Sequence, residues 1–488
     1  MSESVAHAPI PGALSPNDAL EYSSARGRWV LAATILGSGI VTLDGSVVGI
    51  ALAPISRSFH SGIVTLQWVV TGYTLTLAAF LLLGGSLGDR LGRKRLFSVG
   101  TGWFALASVA CGLAPTANAL IVARVFQGIG GAMLVPASLA ILQASFREED
   151  RSKAIGFWSG FSGVSAAAGP LVGGYLIALH SWRLVFFINA PLAAILLAVT
   201  ARHVPESSDS SASGGIDYPG TGLAVVFLAG LTYGLIEGPS VGWGQPLVLV
   251  ALIVAAISGP GFIVAERRSP SPLLPLALFR VRQFSAANGV TFLVYGALGG
   301  AIFLLPVELQ LVDGYSPLSS GLAILPVTVI MFVFSARSGA LSARIGPRLQ
   351  MSLGPVVVGG GLVMLQLATH GSSYLTDVLP AVLVFGTGLA LTVAPLTTTA
   401  LGAVASRHAG VASAVNNVVA RAAGLLAVAV LPVLAGITGG NALAPHRFAQ
   451  GFRAAVLYAG VACAVGGVVA WFTITNPPRQ RRGSSPPP

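Results

Sequence analysis

The amino-acid sequence predicts an all-α integral membrane protein of about fourteen spanning helices, and three observations carry that expectation. Hydrophobic residues fill 54% of 488 positions, charged residues only 9%, and the mean hydropathy of +0.81 is too high for a water-soluble domain of this length. The apolar residues are gathered into runs of roughly twenty, the helical length that crosses a hydrocarbon layer of about 30 Å. Lys and Arg collect in alternate connections between those runs, which sets an orientation, because basic residues stay on the cytoplasmic face.

In order, the runs lie at roughly 29–52, 65–87, 96–114, 119–142, 154–178, 184–201, 219–237, 246–264, 284–307, 317–336, 349–368, 378–400, 409–436 and 453–473. Residues 1–28 hold Pro9, Pro11 and Pro16 but no short apolar core with a cleavage site, so they read as a cytoplasmic tail and the first run doubles as the insertion signal. Residues 29–201 form an N-terminal half. The stretch 202–218 is rich in Ser and Gly and reads as a flexible cytoplasmic linker leading to a pair of runs inserted at 219–264. A second linker, 265–283, leads to the C-terminal half at 284–473, and 474–488 reads as a disordered cytoplasmic tail.

A net charge of +11 raises the question of a nucleic-acid partner, and its placement answers it. Of 27 Lys and Arg, only Arg57, Arg183, Arg447 and Arg453 fall on the exterior and only Arg124 and Arg421 inside runs; the rest are cytoplasmic. The surplus is a topology signal whose partners are anionic lipid headgroups, not nucleic acid. Cys111 and Cys463 are isolated apolar fillers, and the seven His lie in tails, loops or run ends, so neither a metal site nor a cofactor is expected. Lys94 and Lys153, the sole lysines, do not follow a phosphate-cradling Gly-x-x-x-x-Gly stretch. Any uphill work should draw on an ion gradient.

Asp44 lies well inside the first run, where an unpaired charge costs several kcal/mol. It is either a structural partner of Arg124 or a carboxylate that binds protons or faces substrate. Arg124, the sole basic residue within the N-terminal runs, precedes Gln127 and the small residues Gly128, Gly130 and Gly131, which permit close helix approach. The fifth run combines Gly169, Gly173 and Gly174 with Pro170, giving a tightly packed, bent helix. Glu237, Glu308, Asp313 and Asp377 sit at or beyond outward run ends, where solvation is the default; Glu308 stands out as able to face a cavity. Arg421, near Gly424, reads as a partnered structural charge, with a cavity role as the alternative. Trp68, Trp103, Trp158, Trp182 and Trp243 read as interfacial anchors.

The loop Gly85-Ser-Leu-Gly-Asp89-Arg90-Leu-Gly92-Arg93-Lys94-Arg95 recurs 254 positions later as Gly339-Ala-Leu-Ser-Ala343-Arg344-Ile-Gly346-Pro-Arg348, with Ala343 in place of the acid. The copies follow the second and tenth runs, the offset expected of two six-helix halves with two helices inserted between them.

That loop resembles the Gly-x-Leu-x-Asp-Arg-x-Gly-Arg-Lys/Arg gate of the major facilitator superfamily. The stretch Val41 to Pro54 is similar to the Leu-Asp-x-Thr/Ser-x-Val-x-x-Ala-Leu-Pro motif of its fourteen-span drug:proton antiporter branch, with Ala53 as an extra residue. Arg124, Gln127 and Gly128 match the Arg-x-x-Gln-Gly helix, and Gly169-Pro170 with Gly173-Gly174 matches the Gly-Pro-x-x-Gly-Gly antiporter motif, Ser165 replacing its leading glycine. Trp182-Arg183 through Asn189 and Pro191, and Leu305 through Pro326, resemble further stretches of the branch.

The resemblance implies a major facilitator fold and a proton-coupled antiporter that exports small amphipathic or hydrophobic compounds by alternating access. Asp44 and Arg124 would couple protons; Gly85, Asp89, Arg90, Gly92, Arg93 and Lys94 would form the gate; Gly169, Pro170, Gly173 and Gly174 would form the antiporter seam. Gln127, Asn189, Glu308 and Arg421 are candidates for the substrate cavity. Protons, a small molecule and membrane lipids are the implied partners, the unit is a monomer, and the setting is a bacterial plasma membrane. A proton-symporting uptake permease on the same fold is the alternative. A membrane enzyme or sensor lacks the clustered His, Cys or carboxylates it would need. One deep acid favours neutral or monocationic substrates over dications.

Overall fold

The computed structural model describes residues 19–208, 215–367, 373–404 and 409–476; much of both expected tails and positions 209–214 of the expected linker lie outside them. Fourteen described helices are long and apolar enough to cross a membrane. They are α1 Ala25–Phe59, α2 Ile63–Leu91, α3 Arg93–Leu113, α4 Ala117–Ser145, α5 Glu148–Leu179, α6 Leu184–His203, α7 Tyr218–Val241, α8 Pro246–Arg268, α9 Arg282–Leu311, α10 Pro317–Ile345, α11 Pro347–Leu367, α12 Tyr374–Gly402, α13 Gly410–Leu434 and α14 Pro445–Thr473. Each overlies one expected run and most extend past it, while α3, α11 and α13 stop one or two residues short. The 35 residues of α1 span about 52 Å against a hydrocarbon core of about 30 Å, so its basic termini emerge into the headgroup layer.

Local chemistry sets the ends. Ser24, Thr116, Asp217 and Ser316 each cap a helix N-terminus by accepting a backbone N–H from Gly27, Ala119, Gly220 and Ser319. A break at Ile188 divides α6 and starts its longer segment at Asn189.

The helices pack in two groups with the same internal pattern. In the N-terminal half α2 and α3 pack on α4, α1 on α5 and α6, and α3 on α6; in the C-terminal half α10 and α11 pack on α12, α9 on α13 and α14, and α11 on α14. Every pair recurs eight helices later, the offset expected from the loop repeat. The inserted α7 and α8 pack on each other, and α7 also lies against α2 and α13.

The two repeated loops share a backbone device. Gly92 at φ 102° and Gly346 at φ 88° occupy the left-handed region that a side chain resists, and each turns the chain into the next helix. The Glu206 carboxylate accepts the N–H groups of Lys94 and Arg95 at 3.0 and 3.1 Å, capping the positive end of α3. Asn476 Oδ1 accepts the Arg348 N–H at 3.0 Å at the matching place on α11. The start of the expected flexible linker is therefore bound, with the Arg93 N–H donating to the Ser207 carbonyl at 2.8 Å. We call the end of the bundle carrying these turns the basic end and the other the far end.

The halves meet through α5 with α10, α2 with α13, and α1 with α9. The specific contacts lie from mid-depth to the far end. Gln310 Nε2 donates to the Ile50 carbonyl at 2.9 Å and Gln67 Nε2 to the Val428 carbonyl at 2.8 Å. A Cβ on Gly174 would stand 2.7 Å from the Pro317 carbonyl oxygen, and one on Gly321 would collide with the Pro170 carbonyl. Towards the basic end Phe157, Phe161 and Val164 of α5 and Val329, Phe332 and Val333 of α10 are exposed. The far end is closed, and the seam loosens towards the basic end.

Candidate functional site

Asp44 and Arg124, from α1 and α4, come together at the centre of the N-terminal half with exposures of 0% and 1%. Arg124 Nη1 donates to Asp44 Oδ2 at 2.5 Å and to Gln127 Oε1 at 2.7 Å, while its Nε donates to the Val69 carbonyl at 3.1 Å. The other carboxylate oxygen, Asp44 Oδ1, accepts from Gln127 Nε2 and from Asn189 Nδ2, both at 2.8 Å. Ser108 Oγ on α3 accepts from the same two amides, at 2.7 and 3.2 Å. Tyr73 on α2 lies under the guanidinium, its ring centroid 4.1 Å from Cζ, and its hydroxyl donates to the Val41 carbonyl at 3.0 Å.

The pair expected as one alternative is therefore formed, in a network drawn from α1, α2, α3, α4 and α6. Such a network is a high-stakes object. Removing one member of a buried ion pair costs about 3–5 kcal/mol because the other charge is stranded. Protonating the carboxylate cancels one charge without removing an atom, so proton binding and the Arg124 contact compete directly.

Gln127 and Asn189, candidates for the substrate cavity, are 0% exposed and serve as amide donors to Asp44 in this conformation. Ser108 and Tyr73 were not singled out in the sequence, although a Ser on a helix beside the Arg124 helix was a signal. Glu308 departs from the solvated position expected for it. α9 runs on to Leu311 and covers it, leaving it 0% exposed with no hydrogen-bond partner for either carboxylate oxygen among the described residues. Arg421 also departs from expectation: it lies half-buried at mid-depth on α13 with no acceptor among the described residues. The tryptophans divide. Trp103 and Trp243 are exposed, but Trp158 Nε1 donates to Ser38 Oγ at 3.0 Å, Trp182 is buried, and Trp68 Nε1 donates to Glu237 Oε1 at 2.8 Å, tying α2 to α7.

The glycines of α5 seat it on both neighbours. A side chain on Gly169 would collide with Ser46, half a turn beyond Asp44, and a Cβ on Gly173 would stand 3.2 Å from the Val47 carbonyl oxygen. Pro170 and Gly174 face Gly321, Pro317 and Leu318 of α10 across the seam between halves. One side of α5 thus touches the buried charge helix and the other touches the opposite half. At the basic end Arg93 Nη2 pairs with Asp89 Oδ1 at 2.7 Å, and Lys94 Nζ donates to the Ala201 carbonyl at 3.1 Å.

In comparison with known proteins, the Major Facilitator Superfamily matches residues 34–428, most of the chain. The chain belongs to the major facilitator superfamily. This transporter is 38% identical over 388 residues to the multidrug resistance protein Stp of Mycobacterium tuberculosis, across 79% of this chain and 72% of that protein. It is 34% identical to the methylenomycin A resistance protein of Streptomyces coelicolor, across 92% of this chain and 93% of that one. The tetracenomycin C resistance and export protein of Streptomyces glaucescens is 35% identical, across 88% and 80%. Among solved structures, a D-xylose-proton symporter superposes with a TM-score of 0.65 at 15% identity, covering 92% of the transporter and 98% of that chain. A bacterial homologue of the human lysosomal transporter Spinster gives 0.64 at 18% identity, covering 92% and 97%. At those identities the likeness concerns the fold alone.

Proposed function

We propose that this transporter is a monomeric, proton-coupled exporter of small amphipathic or hydrophobic compounds. It works by alternating access in a bacterial plasma membrane, with both termini and the basic end in the cytoplasm. One observation carries the reading: the Asp44 carboxylate is sealed in the membrane-spanning core and held by Arg124, Gln127 and Asn189. A carrier that trades a proton for a solute needs a carboxylate whose charge can be cancelled from one side and restored from the other. The relatives named for resistance and export, at 34–38% identity, support the direction of transport.

On this reading the described conformation is open to the cytoplasm. Substrate enters between the halves from the basic end. A proton reaching Asp44 from outside, in the alternate state, releases Arg124 and frees α1 and α4 to shift against each other. Return to the inward state deprotonates Asp44 and restores the pair. One proton crossing about 100 mV supplies ~2.3 kcal/mol, enough for about a fifty-fold solute gradient.

The rival reading, uptake by proton symport, uses the same fold and differs in the sign of coupling. Inverted membrane vesicles distinguish them. With the vesicle lumen acidified, an exporter accumulates a fluorescent lipophilic dye inside the vesicle and discharges the pH gradient as it does so. Dye uptake that requires protons to move inward with it would contradict export.

A further inference from the structure

Two arginines lie well inside the apolar runs, away from their ends, and they are treated differently. Arg124 has Asp44, Gln127 and the Val69 carbonyl as acceptors. Arg421, at mid-depth of α13, has no hydrogen bond or ion pair to any described residue. Its Nε is sealed from solvent without a partner, whereas its two terminal nitrogens are not among the sealed atoms, so the guanidinium fork opens into accessible space. The surrounding contacts place that space between the halves. Val418, one turn away, packs against the N-terminal cluster containing Tyr73 and Leu77, and Leu425, one turn the other way, packs against Leu75 and Ala79 of α2.

Among the described residues, no carboxylate pairs or hydrogen-bonds with it. Asp44 is engaged by Arg124, Asp89 by Arg93, and Glu237 by Trp68; Glu266 accepts from the Leu274 N–H near the end of α8. Glu308 is buried at the far end of α9. A guanidinium stays ionised at any accessible pH, and leaving it without an anion inside a membrane bundle is unfavourable. Its planar fork matches two oxygens of a carboxylate or of an ionised 1,3-dicarbonyl. The apolar residues flanking it suit the body of an amphipathic molecule.

We propose that Arg421 is the substrate-recognition cation of this transporter and that the compounds it exports are amphipathic organic anions. The inference rests on the export reading and reverses the preference for neutral or cationic substrates drawn from a single deep acid, because that acid already has its cation. Tyr73 lies against the Arg124 guanidinium and belongs to the cluster that Val418, one turn from Arg421, packs on, so an anion on Arg421 lies close to the coupling pair. There is also a charge consequence. A proton moving in while an anion moves out transfers two charges per cycle, so membrane potential alone drives export; with a monocation the same exchange transfers none.

Fluorescein and rhodamine 6G, xanthene dyes of opposite charge, test this on the purified full chain and in proteoliposomes. Wild type should prefer fluorescein, Arg421→Gln should weaken its binding about ten-fold or more, and Arg421→Lys, which keeps the charge and loses the fork, should fall between. Rhodamine 6G binding should be no weaker in Arg421→Gln, which also shows that the variant is folded. A potential imposed by valinomycin and a potassium gradient at equal pH should drive fluorescein export by wild type. Wild-type preference for rhodamine 6G, or fluorescein binding unchanged within about twofold in Arg421→Gln, overturns the proposal. Export of rhodamine 6G by both proteins under a pH gradient, with fluorescein exported by neither, would leave the export reading standing while this one falls. Arg421-dependent fluorescein binding that no imposed gradient converts into flux would do the reverse.

Discussion

Arg124 is held by three acceptors and an aromatic face, so the kind of cation at this position matters as well as its charge. Lysine carries one compact ammonium and cannot reach the Val69 carbonyl and Asp44 with the fork geometry the site presents. Arg124→Lys is therefore expected to fold but to lose most gradient-driven efflux, and Arg124→Ala to lose all of it. Dye efflux under an imposed pH gradient measures both. Full activity of Arg124→Lys would show that a point charge suffices. At this scale Asp44 and Arg124 were legible because a charge inside an apolar run has few explanations. The convergence of Gln127 and Asn189 on one carboxylate, with Ser108 accepting from both amides, was not, since it depends on the rotation of α3, α4 and α6 about their axes, which a run of small and apolar residues does not fix. Glu308 misled for a related reason: hydropathy ended its run at 307, but four more residues of α9 pack into the far-end plug.

Among the elements, α5 links the buried charge to the moving seam. Gly169 abuts Ser46 on the Asp44 helix, and Pro170 and Gly174 abut α10. Replacing Gly169 by valine forces α5 away from α1, an overpacking cost of about 1–3 kcal/mol, and should separate the seal from the binding step. The expected outcome is preserved substrate affinity with faster passive leak in proteoliposomes. Loss of binding without added leak would place this segment in the substrate site. The small-residue motif predicts close packing here but not against which partner. The Glu206 cap on α3 was hidden altogether, because an acid in a Ser-rich linker looks like any solvated charge; its counterpart, Asn476 on α11, became visible only with the fold.

Across the whole molecule, the repeat read from two loops proves to govern the packing of all twelve helices of the two halves, pair for pair at an offset of eight. The architecture was legible because lipid forces each helix to be apolar along a fixed length and Lys and Arg mark one face. The conformation was not, because both states of an alternating-access carrier share one sequence. The Asp89–Arg93 pair is part-exposed and lies within one half, so by itself it is worth about 0.2–1 kcal/mol. Any larger effect of Asp89 must come from a contact across the seam when the basic end closes. Asp89→Asn should then shift distances between spin labels at the basic ends of α2 and α13 towards the open population and slow turnover several-fold, with Arg344→Gln doing much less. Unchanged distances in Asp89→Asn with a large effect at Arg344 would move the working gate to the C-terminal half.

The central claim is that the proton enters the cycle through Asp44, and Asp44→Asn tests it with little change of volume, because the asparagine carbonyl still offers Arg124 an acceptor. In proteoliposomes loaded with a fluorescent substrate, the variant should retain substrate–substrate exchange, which needs no net proton movement. It should lose uphill transport driven by an imposed pH gradient and the proton flux that accompanies it. Full gradient-driven accumulation by Asp44→Asn, with undiminished proton flux, would contradict the account.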